Sequence, residues 1–369
     1  DGIGIAAMLA ILTDTNIQHG PLECLFTIDE ETGLTGALGL EPDFLQGRIL
    51  LNLDSEDEGQ LFIGCAGGKD TIAEMTVNFL EAPQNYIPCL ISITGLKGGH
   101  SGDDIDKGLG NANKILARIL WDAINEYDIK LAFFDGGNLR NAIPREAIAQ
   151  IYVASSKINE LELYVKNYEN IIKNEYKITE PDIKISIHKN TYNGKVLDNA
   201  SQLKLLNTIY ACPHGVISWS QEIKGFVQTS TNLASVKNEN NIVIITTSQR
   251  SSLESEKKYV VNMVSSVFRL AGAKISYSKG YPGWAPNSNS KILAITKQVY
   301  NELFNKAPEV LVTHAGLECG LIGEKYRDID MISFGPTIKG VHSPDERLHI
   351  ESVEKFWNLL IGILKKISD

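Results

Sequence analysis

"PLECLFTIDEETGLTGALGLEPDFLQGRILLNLD", residues 21–54, decides the fold class. Two apolar runs, 21–28 and 48–54, read as strands, and each ends on acids. "TGALGL" and "PDFL" between them read as a short helical crossover. Strand, helix, strand is a βαβ unit and implies a parallel sheet. In open α/β sheets ligands gather outside the carboxyl ends of the strands. Glu30, Glu31 and Asp54 are expected at that edge, where adjacent like charges repel unless a cation or solvent compensates them.

Working outward, "GIAAMLAILT" (4–13) reads as a helix apolar on most faces, suited to a layered interior. Beyond "GCAGGKD" (64–70) the texture changes, and strand-like runs alternate with helices up to about residue 280. "CLISITGL", "AIAQIYVA" and "DIKISIH" read as strands, "NANKILARILWDAI" and "LELYVKNYENIIKN" as helices. A second set follows, with helices at 201–211 and 256–271 and strands near 214–219, 242–247 and 273–277. The tail returns to the first texture, with "PEVLVTHA" and "DMISFGP" as strands and "ESVEKFWNLLIGILKKI" as a long amphipathic helix. Its first turn is acidic and its last basic, as the helix dipole favours. The expected architecture is α/β: a three-layer catalytic domain with a mostly parallel sheet (1–68 and 281–369), and an inserted α+β lid domain of two tandem units (69–280).

The bulk numbers narrow the function classes. A chain of 369 residues exceeds one compact core. Its net charge of -10 argues against nucleic acid and anionic membrane as partners. The five cysteines are an odd number, without a Cys-x-x-Cys pair. They read as free thiols in a reducing cytoplasm.

Three stretches carry the chemistry: "DEETG", "LLNLDSEDEG" and "GPTIKGVHSPDERL". Glu31 and Asp54 on neighbouring strand ends, with His342 in a loop after "MISFGP", suit a zinc or manganese site. Glu30 is then free to act as a base toward water. Each motif alone reads more often as a solvated turn or a surface histidine; their joint placement favours a site. In the inserted region, "TGLKGGHSGDDI" sets His100 in a glycine-flanked turn. "GGNLRNAIPREA" holds Asn141 and Arg145, where a plain turn entering a strand is the stronger reading of the residues alone. "TTSQRSS" leaves Arg250 at a strand end, suited to clamp a carboxylate.

These stretches, with "GCAGG", "YPGWAPN", "HAGLECGLIGEKY" and "FGPTIKGVHSPDERLHIESVEKFW", resemble the aminoacyl-histidine dipeptidases. That group sits in the metallopeptidase superfamily with carboxypeptidase G, aminoacylase and the tripeptide aminopeptidases. The resemblance runs from residue 1 to about 365. It implies two divalent metal ions, usually zinc, with manganese or cobalt as substitutes. It implies Glu30 as general base and Glu31, Asp54 and His342 as metal ligands. It further implies His100 at the oxyanion, Asn141 and Arg250 on the substrate, and His314 and Glu318 near the site. The expected activity is hydrolysis of dipeptides, of the Xaa-His type, by a metal-activated water. The expected partner is a small peptide, and a homodimer remains an open assembly state.

The family's upstream His-x-Asp motif and bridging aspartate have no counterpart in this sequence, which opens "DGIGIA". Asp1 aligns just after the bridging acid and is not assigned as a ligand. The expectation is a piece of a longer chain that, as written, binds metal poorly and turns over slowly. Two rivals stay open: a deacylase on the same scaffold, and a non-catalytic binding protein.

Overall fold

The computed structural model describes residues 1–30, 34–341 and 345–368. The chain divides into two compact units, Asp1–Gly67 with Tyr281–Asp369, and Gly68–Gly280.

The first unit is built on a four-stranded sheet in the order Ile49–Asn52, Asp330–Ser333, Gln60–Cys65, Glu309–Thr313. Ile49–Asn52 runs parallel to Asp330–Ser333 in full register. Gln60–Cys65 runs parallel to Glu309–Thr313. The two pairs meet antiparallel at Ser333 and Phe62. The sheet is therefore mixed, with an antiparallel seam where a parallel sheet was expected. The helix Ile350–Ser368 buries Phe356, Leu359, Leu360, Ile363 and Leu364, the i, i+3, i+4, i+7 stripe of its sequence. A smaller cluster joins Cys65, Trp284, Cys319 and Met331.

Two expectations in this unit need correction. The run 21–28 forms no strand. A strand is stabilised by a ladder partner on its flank, and the edge strand Ile49–Asn52 pairs with Asp330–Ser333 instead. Phe26 and Ile28 are left exposed, at 45% and 75%. The first helix, Gly2–Thr13, buries only Gly4, Ala7 and Ile11. Ile5, Leu9 and Leu12 are exposed, so its all-round apolarity does not correspond to all-round burial.

The second unit carries one nine-stranded sheet, not two separate ones. The main path runs Lys184–Lys189, Tyr86–Thr94, Ala147–Ala154, Lys130–Gly136, Val227–Glu239, Ile242–Ser251, Gly67–Thr76, Lys274–Tyr277. Gly215–Trp219 pairs with Val227–Glu239 off this path. The tandem halves join where Val236 meets Gly136 across an antiparallel bridge.

Helix Ala112–Tyr127 starts on Asn111, whose side chain accepts from the Lys114 N–H, and ends at Asp128 in a left-handed conformation. Its stripe Ile115, Leu116, Ile119, Leu120 and Ala123 enters the main core. Val227–Glu239 is the strand that sequence periodicity misses. Its residues Thr229, Ser230, Thr231 and Asn232 are no more than 1% exposed, yet none is apolar.

All five cysteines are free; Cys65, Cys89, Cys212 and Cys319 are buried and Cys24 is half-buried. Among the described residues no helix is long and apolar enough to cross a membrane.

Candidate active site

In the first unit, Glu30 follows a reversal fixed by the backbone. Asp29 adopts φ +56°, and its carboxylate accepts from the Thr35 hydroxyl at 2.6 Å. The Leu34 N–H donates to the Glu30 carbonyl, and the Gly36 N–H to the Ile28 carbonyl, both at 3.0 Å. Gly36 has to be glycine, because a Cβ there would lie 2.6 Å from the Ile28 nitrogen. Glu30 thus enters from a tight turn, not from the end of a paired strand.

Asp54 lies two residues past the strand Ile49–Asn52. The Asn52 side-chain oxygen accepts from the Asp54 N–H at 3.3 Å and from the Ser333 hydroxyl at 2.6 Å. Ser55 and Ser333 hydroxyls meet at 2.6 Å. These bonds tie the segment bearing Asp54 to the neighbouring strand. Sequence reading missed Asn52 and Ser333, which lie 281 positions apart and carry no local signal.

Glu30, Asp54 and Glu318 line one cavity of about 480 Å³, together with Thr27 and apolar residues that include Met8 and Leu360. The Thr27 hydroxyl donates to Glu318 Oε2 at 3.0 Å, while Oε1 is buried without a hydrogen-bond partner among the described residues. Burial pushes the Glu318 carboxyl above the usual carboxylate range, against the opposing Thr27 bond. Burial likewise raises the Cys319 thiol, and the charges of Glu318 and Asp54 both add to that shift. Those two carboxylates therefore share one neighbourhood. His314 is buried just after strand Glu309–Thr313. It is absent from the cavity wall. Glu31 and His342, the other two expected ligands, lie outside the described residues. Among the described residues no group of three or more His, Cys, Asp or Glu is placed to hold a metal ion.

In the second unit, the turn before His100 needs both of its glycines. Gly98 has φ +65°, and a Cβ on Gly99 would meet Asp104 Oδ2 at 2.7 Å. That carboxylate accepts from the His100 N–H at 2.7 Å. Gly99–His100 then pairs with Ala142–Ile143. The Ser101 N–H donates to the Asn141 carbonyl at 2.8 Å. The backbone of Asn141 is thereby locked beside His100, while its side chain is exposed.

Arg250 is 6% exposed and lies directly opposite Ser230 in the ladder. Its Nη2 is 3.3 Å from His100 Nε2. A guanidinium only donates, so Nε2 is the acceptor of this bond, and on the other side of the ring the Asp103 N–H approaches Nδ1 at 3.3 Å. Nδ1 faces Asp103 Oδ2 at 3.0 Å. Two expected residues, 150 positions apart, are thus brought into one hydrogen bond. Asp103 was missed, although it stands in the same "HSGD" turn. A buried guanidinium beside an oriented imidazole suits the recognition of a carboxylate or a developing oxyanion.

Comparison with known proteins follows this geometry. The model of peptidase family M20/M25/M40 matches residues 2–366. The cytosol non-specific dipeptidase of Escherichia coli is 45% identical over 367 residues, covering 100% of this chain and 76% of that protein. The crystal structure of aminoacylhistidine dipeptidase from Vibrio alginolyticus superposes with a TM-score of 0.94 at 43% identity, over 99% of this chain and 74% of that one. A tripeptidase from Staphylococcus aureus, at 16% identity and a TM-score of 0.51, covering 100% of this chain and 70% of its own, shares the fold. The mixed α/β architecture with parallel and antiparallel strands is that of these peptidases. The chain belongs to peptidase family M20/M25/M40.

Proposed function

We propose that this protein hydrolyses dipeptides, with aminoacyl-histidine dipeptides among its substrates, in the cytosol. The observation that carries the reading is the similarity to the Escherichia coli dipeptidase over 367 residues. The buried Arg250 guanidinium beside His100 is compatible with an exopeptidase, because the free C-terminus of a short peptide offers a carboxylate that it suits.

The residues take these roles. Arg250 binds the terminal carboxylate and orients the dipeptide, with Asn141 beside it. His100 faces the oxygen of the scissile carbonyl, where charge develops during attack. Glu30 accepts the proton of the attacking water at its carboxylate and returns it to the leaving amine. Thr27 holds Glu318 through Oε2, and His314 is assigned near the site without lining its cavity.

The reading includes two divalent cations, zinc first, with manganese or cobalt as substitutes. Asp54 would hold metal, with Glu31 and His342 assigned beside it from sequence. Carboxylate oxygens suit such cations: Glu30, Asp54 and Glu318 line one cavity, and Glu318 Oε1 has no hydrogen-bond partner among the described residues, though these three are not grouped to hold a metal by themselves. When bound, such cations polarise a carbonyl and lower the pKa of water.

The test is a parallel assay of dipeptides, C-terminally amidated dipeptides and N-acyl amino acids, with each metal added in turn. Release of amino acids from free dipeptides alone supports the reading. Faster release from N-acyl amino acids replaces it with a deacylase, and no release with any metal removes it.

A further inference from the structure

The strand Val227–Glu239 buries a row of polar residues, and its two faces differ. On one face Thr229 bonds to Ser251 and Glu256, and Thr231 accepts from Gln249. Those groups are satisfied. On the other face Ser230 stands opposite Arg250, and Asn232 stands opposite Ser248. Residues two apart on a strand share a face, so Asn232 is a diagonal neighbour of Arg250 on the same surface.

Asn232 is 1% exposed, and its side-chain nitrogen donates to the Ala142 carbonyl at 2.7 Å. A carbonyl only accepts, so the atom facing Ala142 is the amide nitrogen and the orientation is fixed. Oδ1 is then left buried with no hydrogen-bond partner among the described residues. Ala142 is also the ladder partner of His100, whose ring meets Arg250. Asn232 Oδ1 is therefore one residue's width from the His100–Arg250 pair. The adjoining Ser101 hydroxyl is 1% exposed and likewise has no partner. A buried acceptor without a donor is unfavourable. Anchoring Ala142 requires only the nitrogen.

We propose that Asn232 is a specificity-determining residue: with a substrate's terminal carboxylate on Arg250, Asn232 Oδ1 accepts a hydrogen bond from an N–H on that terminal residue's side chain. The favoured class is then an amino acid with a neutral side-chain N–H, such as an imidazole or a carboxamide. An aliphatic side chain leaves Oδ1 unpaired and is disfavoured. The inference rests on the dipeptidase reading through the assignment of Arg250 to the carboxylate.

The test is calorimetric binding of free amino acids to the full chain at pH 8, where imidazole is neutral. L-Histidine is expected to bind about tenfold more tightly than L-leucine, the order of one buried hydrogen bond. Histidines methylated on either ring nitrogen have no ring N–H and are expected to fall to the leucine level. In Asn232→Leu, with its fold checked by circular dichroism, histidine and leucine are expected to bind alike. Binding of neither amino acid, a preference that survives methylation, or a preference unchanged in Asn232→Leu overturns the proposal. Arg250→Ala should abolish binding of both; persistence of both overturns the anchor. A preference that tracks Asn232 in a protein that hydrolyses no dipeptide upholds the proposal and counts against the dipeptidase reading alone.

Discussion

Arg250 and His100 share one hydrogen bond, 3.3 Å from Nη2 to Nε2, so the guanidinium helps to orient the imidazole. Removing the cation therefore perturbs two groups. Arg250→Lys keeps the charge but loses the planar fork. The expected outcome is a KM for free dipeptides raised about 10- to 100-fold, with hydrolysis of C-terminally amidated dipeptides changed far less. Steady-state kinetics on the matched pair of substrates checks it; equal loss on both would remove the carboxylate assignment.

Glu30→Gln keeps the shape of the side chain and removes its basicity. The expected loss in kcat is about 100- to 10,000-fold, the range of a positioned general base. Binding of a non-hydrolysed dipeptide analogue should be unchanged. Substantial remaining turnover in a protein active before substitution would exclude Glu30 as the base.

Gly36→Ala tests whether the turn positions Glu30. The new methyl would press on Ile28 backbone atoms at 2.6 and 2.7 Å, which flexible side-chain motion cannot relieve. Activity is expected to fall at least tenfold, while the melting temperature shifts by only a few degrees, about 1–2 kcal/mol of strain in an exposed segment. Thermal unfolding and kinetics on the same sample separate the two effects.

His214 predicts a pH dependence of stability. Its Nδ1 accepts from the Asn111 side chain at 3.3 Å and from the Leu233 N–H at 3.4 Å. Burial, with the Lys114 charge nearby, lowers its pKa to about 4. The unfolded chain takes up this proton near pH 6.5, before the folded one does. The contribution is thus fully present above about pH 6.5 and is lost as pH falls toward 4. Its ceiling is about 3 kcal/mol. Urea unfolding at pH 7 and pH 5 should show a larger drop for the wild type than for His214→Gln; equal drops would rule out this histidine as a source.

Much of the second unit was legible in sequence because its strands and helices obey simple periods. The stripe Ile115, Leu116, Ile119, Leu120 of Ala112–Tyr127 and the run Ala147–Ala154 are examples. Val227–Glu239 was not legible. Its stretch 229–232 is buried threonine, serine and asparagine, whose partners lie on other strands and interrupt any apolar alternation. The same blindness hid Asn232. In the first unit the run 21–28 has strand composition, yet composition cannot supply a ladder partner.

By itself the sequence determined the family, the acids that end the runs at 30 and 54, and the glycine-bounded turn that presents His100. These depend on local chemistry: short-range backbone preference, charge and side-chain type. Tertiary structure alone decided which of them meet. It placed Arg250 on His100, set Asn232 against Ala142, and tied Asn52 to Ser333. It also merged two apparent repeats into one sheet through Val236 and Gly136. Hydrogen bonds between residues ninety or more positions apart depend on strand order and register, which distant ladders set together and which short stretches of sequence do not encode.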